Sequence, residues 1–284
     1  MSKFFPLIVL FSVIILGVIF GIQQNNNQLK KQESISNAQT EEIKTSTPSA
    51  TIKPTPASTP RPQYLGYCLK VPILLYHHIK SLDSEDQASL SVDTNTFDAQ
   101  MQYLQNQGYH TVSIDELADA LINKKTLPPK SIAITIDDGY DDFYINAYPI
   151  LYKYQLKANL MIATGLLGNA GYLNWDDLKR MIDTGYIFAY NHTWSHATLT
   201  VLSDEKIKYE ILTAKQQLEE RLGRTVNIFS YPYGSQDQRV IDILKQNGFI
   251  AALSTIPGFN QCDSFLMSLR RNRVGNAPLS SFGL

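Results

Sequence analysis

Four short polar clusters, each standing just after an apolar run, hold the residues best suited to acid–base or metal chemistry. The first, Thr135-Ile136-Asp137-Asp138-Gly139-Tyr140, follows SIAI. Two adjacent carboxylates at the end of an apolar strand repel each other and are costly to bury unless paired or metal-bound. An ordinary Asp-Gly turn is the plain alternative. The second cluster is Asn191-His192-Thr193-Trp194-Ser195-His196. Histidines four apart face the same side of a helical turn, an arrangement that grips one metal ion, although H-x-x-x-H alone is a weak signal. Adding Asp138 gives two histidines and one carboxylate with a position left for water, the donor set of catalytic rather than structural zinc. The third is Phe229-Ser230-Tyr231-Pro232-Tyr233-Gly234, where Pro and Gly constrain a loop whose backbone N–H groups could face an oxyanion. A plain aromatic turn fits it equally. The fourth, Leu75-Tyr76-His77-His78, places two of the chain's five histidines together.

These clusters need a scaffold that gathers them. VPILLYH (71–77), SIAITID (131–137), ANLMIAT (158–164), YIFAYNH (186–192), NIFSYP (227–232) and FIAAL (249–253) read as strands buried on both faces. Helical patterns lie between them at 96–109, 113–123, 174–185, 203–223 and 237–248, with Ser203 a candidate N-cap and Gly108 and Gly223 candidate stops. Such alternation predicts an α/β fold with a parallel sheet, open or closed into a barrel. In both, catalytic residues collect beyond the C-terminal strand ends, where all four clusters stand.

The rest of the chain bounds the setting. It has 284 residues, 44% of them apolar, enough for one domain with a full core. A net charge of -1 gives no global pull toward nucleic acid. Residues 4–22 run FFPLIVLFSVIILGVIFGI without a charge, long enough to span a bilayer, and Lys3 before them places the N-terminus inside the cell. The expectation for 1–22 is an uncleaved membrane anchor, with a cleaved signal sequence as the alternative. Residues 23–66, ending in a Ser/Thr/Pro-rich stretch, read as a disordered stalk, which leaves 67–284 as the folded domain outside the cell. Cys68 and Cys262 both fall in that domain, and a disulfide and two buried thiols are both open.

Together, TIDDG, HTWSH and SYPYG resemble three ordered motifs of the NodB-homology polysaccharide deacetylases, carbohydrate esterase family four: T-F-D-D-G, H-[ST]-x-x-H and R-x-P-Y-G. The resemblance spans about 70–275. It departs in two places. Ser230 stands where the family often has an arginine, and no histidine follows His196, so the family's late L-x-H motif is missing from its usual place. Leu75-Tyr76-His77 fits L-x-H upstream of the first motif instead, as in the circularly permuted poly-N-acetylglucosamine deacetylases of bacterial biofilms. In that subgroup an arginine in an R-x-x-V setting replaces the missing one, which selects Arg271.

The resemblance implies a distorted (β/α) barrel of about seven strands and metal-assisted amide hydrolysis. Asp138, His192 and His196 would hold a divalent metal, zinc for choice, with Asp137 as general base, oriented and kept at low pKa by Arg271. The backbone N–H of Tyr233 would serve the oxyanion, and His77 rather than His78 would protonate the leaving amine. Tyr140, Trp194 and Tyr231 are candidate sugar-stacking walls or, equally, core. The implied partner is a polysaccharide with N-acetylated sugars, poly-N-acetylglucosamine first, then peptidoglycan, chitin oligomers or acetylated xylan. An inactive glycan-binding domain is the reading from another class.

Overall fold

The computed structural model describes residues 66–83 and 90–284. The expected anchor at 1–22 and, apart from Gly66, the stalk at 23–66 lie outside the described residues. No helix among those described is long and apolar enough to cross a membrane.

Strands in chain order are β1 (Cys68–Lys70), β2 (Ile73–Tyr76), β3 (His78–Ile79), β4 (Ser91–Val92), β5 (His110–Thr111), β6 (Ser131–Asp138), β7 (Ala158–Ile162), β8 (Ile187–Asn191), β9 (Ile228–Ser230), β10 (Ala251–Leu253), β11 (Asn260–Cys262) and β12 (Asn272–Arg273). Helices are α1 (Thr94–Asn106), α2 (Ile114–Ile122), α3 (Tyr148–Lys153), α4 (Trp175–Ile182), α5 (Asp204–Leu222) and α6 (Gln238–Gln246). Each of the six expected strands and five expected helices is present, with ends shifted by up to a few residues. α3 and the π-helical turn Phe143–Ala147 before it were not foreseen.

The main sheet runs β10-β9-β8-β7-β6-β2-β12, parallel throughout, with β5 added beside the start of β6. Every residue of β6 is buried because both of its faces are covered. Ile132, Ile134 and Ile136 point into the cluster beneath the helices, while Ala133 joins Ile73, Met161, Tyr190, Ile228 and Leu253 on the inner face. One short segment curls the sheet by reaching both flanks. Leu269 bridges to Leu253 at one side, and Asn272 and Arg273 pair with Leu74 and Leu75 at the other.

Register brings the clusters level. Tyr76 pairs with Ile136, so the next residues, His77 and Asp137, stand at one height. Asp138 pairs with Ile162, Ile162 with Asn191, and Asn191 with Phe229, so the residues that follow leave from the same rim. Helix caps hold the return segments. Ser113 and Glu116 form a capping box, and Asp93, Asn174 and Asp237 each accept first-turn N–H groups. Ser203 occupies the expected N-cap of α5 but its side chain makes no capping bond to the first-turn backbone, whereas Gly223 ends that helix in the left-handed conformation, φ 65°.

The cysteine question resolves as a disulfide. β1 and β11 run antiparallel with Cys68 opposite Cys262, and the sulfurs are 2.00 Å apart.

Candidate active site

Asp137, the last inward-facing residue of β6, is 3% exposed. Arg271, 1% exposed, meets it with a two-pronged fork: Nη1 donates to Oδ1 at 2.6 Å and Nη2 to Oδ2 at 2.8 Å. The guanidinium is itself anchored, Nε donating to the Ser254 carbonyl at 2.8 Å and Nη2 to Ser230 Oγ at 3.0 Å. Burial alone would push the Asp137 carboxyl up. The Arg271 charge, helped by His192 and His77, outweighs it and leaves the pKa below the usual carboxylate range.

Asp138, the last residue of β6, leaves the strand conformation with φ 79°, and its carboxylate and that of Asp137 both approach His192 Nε2, at 3.2 and 3.8 Å. Asp138 Oδ1 lies 3.2 Å from His192 Nε2 and 3.1 Å from His196 Nε2, and one ligand atom from each of the three residues falls within 4.8 Å of the others. Tetrahedral zinc with bonds of 2.0–2.1 Å sets neighbouring donors about 3.3 Å apart, so the spacing suits such an ion. The chemistry of the donors agrees. His192 Nδ1 donates to the Ser230 carbonyl at 2.8 Å, which leaves Nε2 as the lone-pair nitrogen of the neutral ring. His196 Nδ1 lies 3.2 Å from the Tyr233 hydroxyl, so its Nε2 also faces Asp138. Burial raises the Asp138 carboxyl, but the two imidazoles prevail and its pKa is strongly lowered. Burial lowers His192, while Asp137 and Asp138 together carry it above its ordinary value. A negative pocket that draws protons onto its nitrogens is one that a cation can neutralise instead. The residues present fit a divalent metal.

The histidines reach this arrangement by a route the sequence pattern did not suggest. Residues 192–198 are not a helical turn but an irregular loop in which Thr193 (φ 68°) and His196 (φ 60°) are both left-handed. Each such residue costs roughly 1–2 kcal/mol, which local bonds must offset. Asn191 Oδ1 accepts from Thr193 N at 2.8 Å, and Gly165 N donates to the Trp194 carbonyl at 2.7 Å.

His77 and His78 part company because β2 ends at Tyr76. His77 lines the cavity with Asp137 and Asp138, its Nδ1 buried and unpartnered. Burial pulls it down to about 4, with Asp137 and Asp138 acting against that pull, so it is neutral near pH 7 in the free protein. His78 turns aside to Asp142, 2.6 Å from Nδ1, and stacks on Tyr140 at 3.7 Å between ring centroids. The cavity holds about 350 Å³ and is walled by Tyr140, Tyr172, Tyr231 and Tyr233, with Arg273 also at its lining. Tyr233 is left-handed (φ 60°) and 69% exposed. Of the candidate walls, Tyr140 lines the cavity and Trp194 does not; Trp194 packs instead against Tyr209 and Gly165. Tyr231 shows only a buried edge, since its hydroxyl donates to the Met267 carbonyl within the core. Tyr172 and Arg273 were missed. Tyr172 arrives by a bridge to Tyr140 from a loop with no periodic signal, whereas Arg273 shares the R-x-x-V stretch that singled out Arg271.

The family model described as polysaccharide deacetylase matches residues 124–252. The Bacillus subtilis (strain 168) relative YxkH, named for the same activity, is 32% identical over 205 residues, covering 72% of this chain and 71% of its own. The chain belongs to the polysaccharide deacetylase family. Among solved structures, the Streptococcus pyogenes deacetylase PplD in complex with acetate is similar with a TM-score of 0.70 and 31% identity, over 73% of this chain and 93% of that one. The poly-beta-1,6-N-acetyl-D-glucosamine N-deacetylase of Escherichia coli (strain K12) is 22% identical over 72% of this chain, which spans only 36% of that enzyme. Membership explains why the three ordered motifs meet at one rim. The departure at Ser230 is met by geometry: the guanidinium on Asp137 comes from Arg271, and Ser230 contributes its hydroxyl to Arg271 and its carbonyl to His192.

Proposed function

We propose that this deacetylase removes the acetyl group from N-acetylglucosamine units of an extracellular polysaccharide, with poly-β-1,6-N-acetyl-D-glucosamine as the polymer. The observation that carries the reading is the pairing of a carboxylate clamped by arginine, Asp137, with a separate donor triangle, Asp138, His192 and His196. The E. coli relative's name supports the polymer, as does the position of His77, first in the chain yet level with Asp137.

Asp138, His192 and His196 would hold a divalent cation, zinc by its donor set, which when bound polarises an acetyl carbonyl and lowers the pKa of a water. Asp137, ionised and aimed by Arg271, accepts the proton of the attacking water. The Tyr233 N–H is offered to the oxyanion of the tetrahedral species. His77 gives a proton to the leaving amine. Being neutral at rest near pH 7, it must acquire that proton in the pocket, and the one Asp137 took from water is the source at hand. The balance is then that of hydrolysis: one water in, acetate and a free amine out. Of the cavity's tyrosines, Tyr140, Tyr172 and Tyr233 offer aromatic surface to the sugar.

The setting we propose is the outer face of a membrane, with 1–22 as anchor, 23–66 as stalk and 67–284 as the catalytic domain. The Cys68–Cys262 disulfide supports an oxidising compartment.

The test is acetate release from β-1,6-linked N-acetylglucosamine oligomers by the full chain, before and after chelation and after adding zinc back. Turnover lost to the chelator and regained with zinc is expected. Turnover on β-1,4-linked oligomers or acetylated xylan alone would overturn the polymer, and turnover untouched by chelation would overturn the metal.

A further inference from the structure

The buried face of α5 is an apolar stripe with one exception. Ile207, Ile211, Ala214 and Leu218 are buried along it, and so is Glu210, 8% exposed. An acidic side chain among aliphatic ones is costly unless its oxygens are satisfied. All three hydrogen bonds of the Glu210 carboxylate go to one place, the bend between His192 and His196. Oε2 accepts from Trp194 N at 3.1 Å and from Ser195 N at 2.8 Å, and Oε1 accepts from Ser195 Oγ at 2.7 Å. The adjoining residue takes part as well, because the Ile211 carbonyl accepts from Asn191 Nδ2 at 2.8 Å. α5 therefore grips the loop on both sides of His192.

We propose that Glu210 is a positioning residue for the metal ligands: its carboxylate fixes the Trp194–Ser195 bend, and the bend fixes how far His196 stands from His192 and Asp138. The inference rests on the reading that Asp138, His192 and His196 hold a divalent cation, and it adds a residue that touches neither ion nor substrate. Two adjacent N–H groups pointing at one oxygen require the bend, and the bend leaves His196 left-handed with Nε2 3.1 Å from Asp138 Oδ1. Without the carboxylate these N–H groups have no buried acceptor, and the loop is free to relax toward ordinary backbone angles that swing His196 away. The bond pattern also predicts which substitution is tolerated. Glutamine keeps one oxygen for the two N–H groups and can turn its amide toward Ser195 Oγ, which is able to accept. Alanine keeps nothing.

The experiment titrates cobalt(II) alone into metal-free full chain and reads affinity and the visible absorption bands, which report ligand geometry. Glu210→Ala is expected to weaken cobalt binding by about 10- to 100-fold, the range for partners that orient metal ligands, and to change the band shape. Glu210→Gln should restore most of both. A purely structural role would lower the melting temperature of the metal-free protein and leave the bands unchanged. Should Glu210→Ala not fold, Glu210→Asp, which withdraws the carboxylate by one methylene, takes its place and is expected to weaken binding. Unchanged affinity and bands in the folded Ala or Asp variant overturn the proposal alone. A wild-type chain that binds no cobalt overturns the metal reading and this proposal with it.

Discussion

Replacing Arg271 by methionine isolates what the buried fork does. The substitution keeps the bulk of the stem and removes every donor: two bonds to Asp137 and one each to Thr135 Oγ1, Ser230 Oγ and the Ser254 carbonyl. Asp137 is then a buried carboxylate facing no arginine fork, and breaking such a pair from one side costs about 3–5 kcal/mol. That is a large part of the 5–15 kcal/mol that holds an ordinary domain together. The loss depends on pH in a definite direction. In the wild type the Asp137 pKa lies below its unfolded value, so its stabilisation is present above roughly pH 4 and fades as pH falls through the folded value. In Arg271→Met the burial that now raises the carboxyl has lost its main opponent, so the folded pKa rises above the unfolded one. The variant is then penalised most near neutral pH and recovers as acid protonates Asp137. The gap between the two proteins should be about 3–5 kcal/mol at pH 7 and should shrink toward pH 4 to the smaller cost of the neutral bonds. Chemical denaturation of both proteins, stripped of metal, at several pH values measures it. A gap that is constant with pH, or one under about 1 kcal/mol at pH 7, refutes the reasoning.

Further substitutions separate the remaining roles. Asp137→Asn should retain one equivalent of zinc by elemental analysis and lose at least about 10²-fold in turnover, and loss of the metal instead would make Asp137 a ligand. His77→Ala should lose most activity on an N-acetyl sugar with metal retained, and lose less on an activated acetate ester whose leaving group needs little protonation. His78→Ala should keep more, since His78 reaches the cavity only through Tyr140; a dead His78→Ala beside an active His77→Ala reverses the assignment. Reduction of Cys68–Cys262, which closes a loop of 194 residues, should lower unfolding stability by up to about 5 kcal/mol, seen as a shift in denaturant midpoint with reductant.

Which elements could be read from sequence followed from how far each residue's partners lie along the chain. β6 and its neighbours were legible because strands covered on both faces must be apolar at every position. β12 was not, since Asn272 and Arg273 are polar and owe their strand geometry to Leu74 and Leu75 far upstream. The same distance hid the role of Arg271, whose partner lies 134 residues away; only the R-x-x-V setting of related deacetylases singled it out. The disulfide depended on the β1–β11 register. H-x-x-x-H misled in geometry though not in grouping. A spacing of four suits a helical turn, but the same two imidazoles also converge when left-handed backbone at Thr193 and His196 folds the loop back.

That backbone strain marks the site as clearly as the side chains do. Seven non-glycine residues among those described have positive φ, and Asp138, Thr193, His196 and Tyr233 all belong to the three motifs. A strand can carry a side chain to the rim, but it cannot aim two neighbours at one point, because successive residues face opposite ways. Asp137 and Asp138 share the task only because Asp138 leaves the strand conformation. What assembles the site is therefore the first turn beyond each strand, and the sheet's contribution is to make those turns coincide. His77 illustrates the consequence. It stands some 60 residues before the first motif, yet β2 lies beside β6 in parallel register, so His77 is level with Asp137 wherever its strand falls in the chain. A strand at either end of the chain that pairs with β6 in this register would bring the residue after it to the same place at the rim.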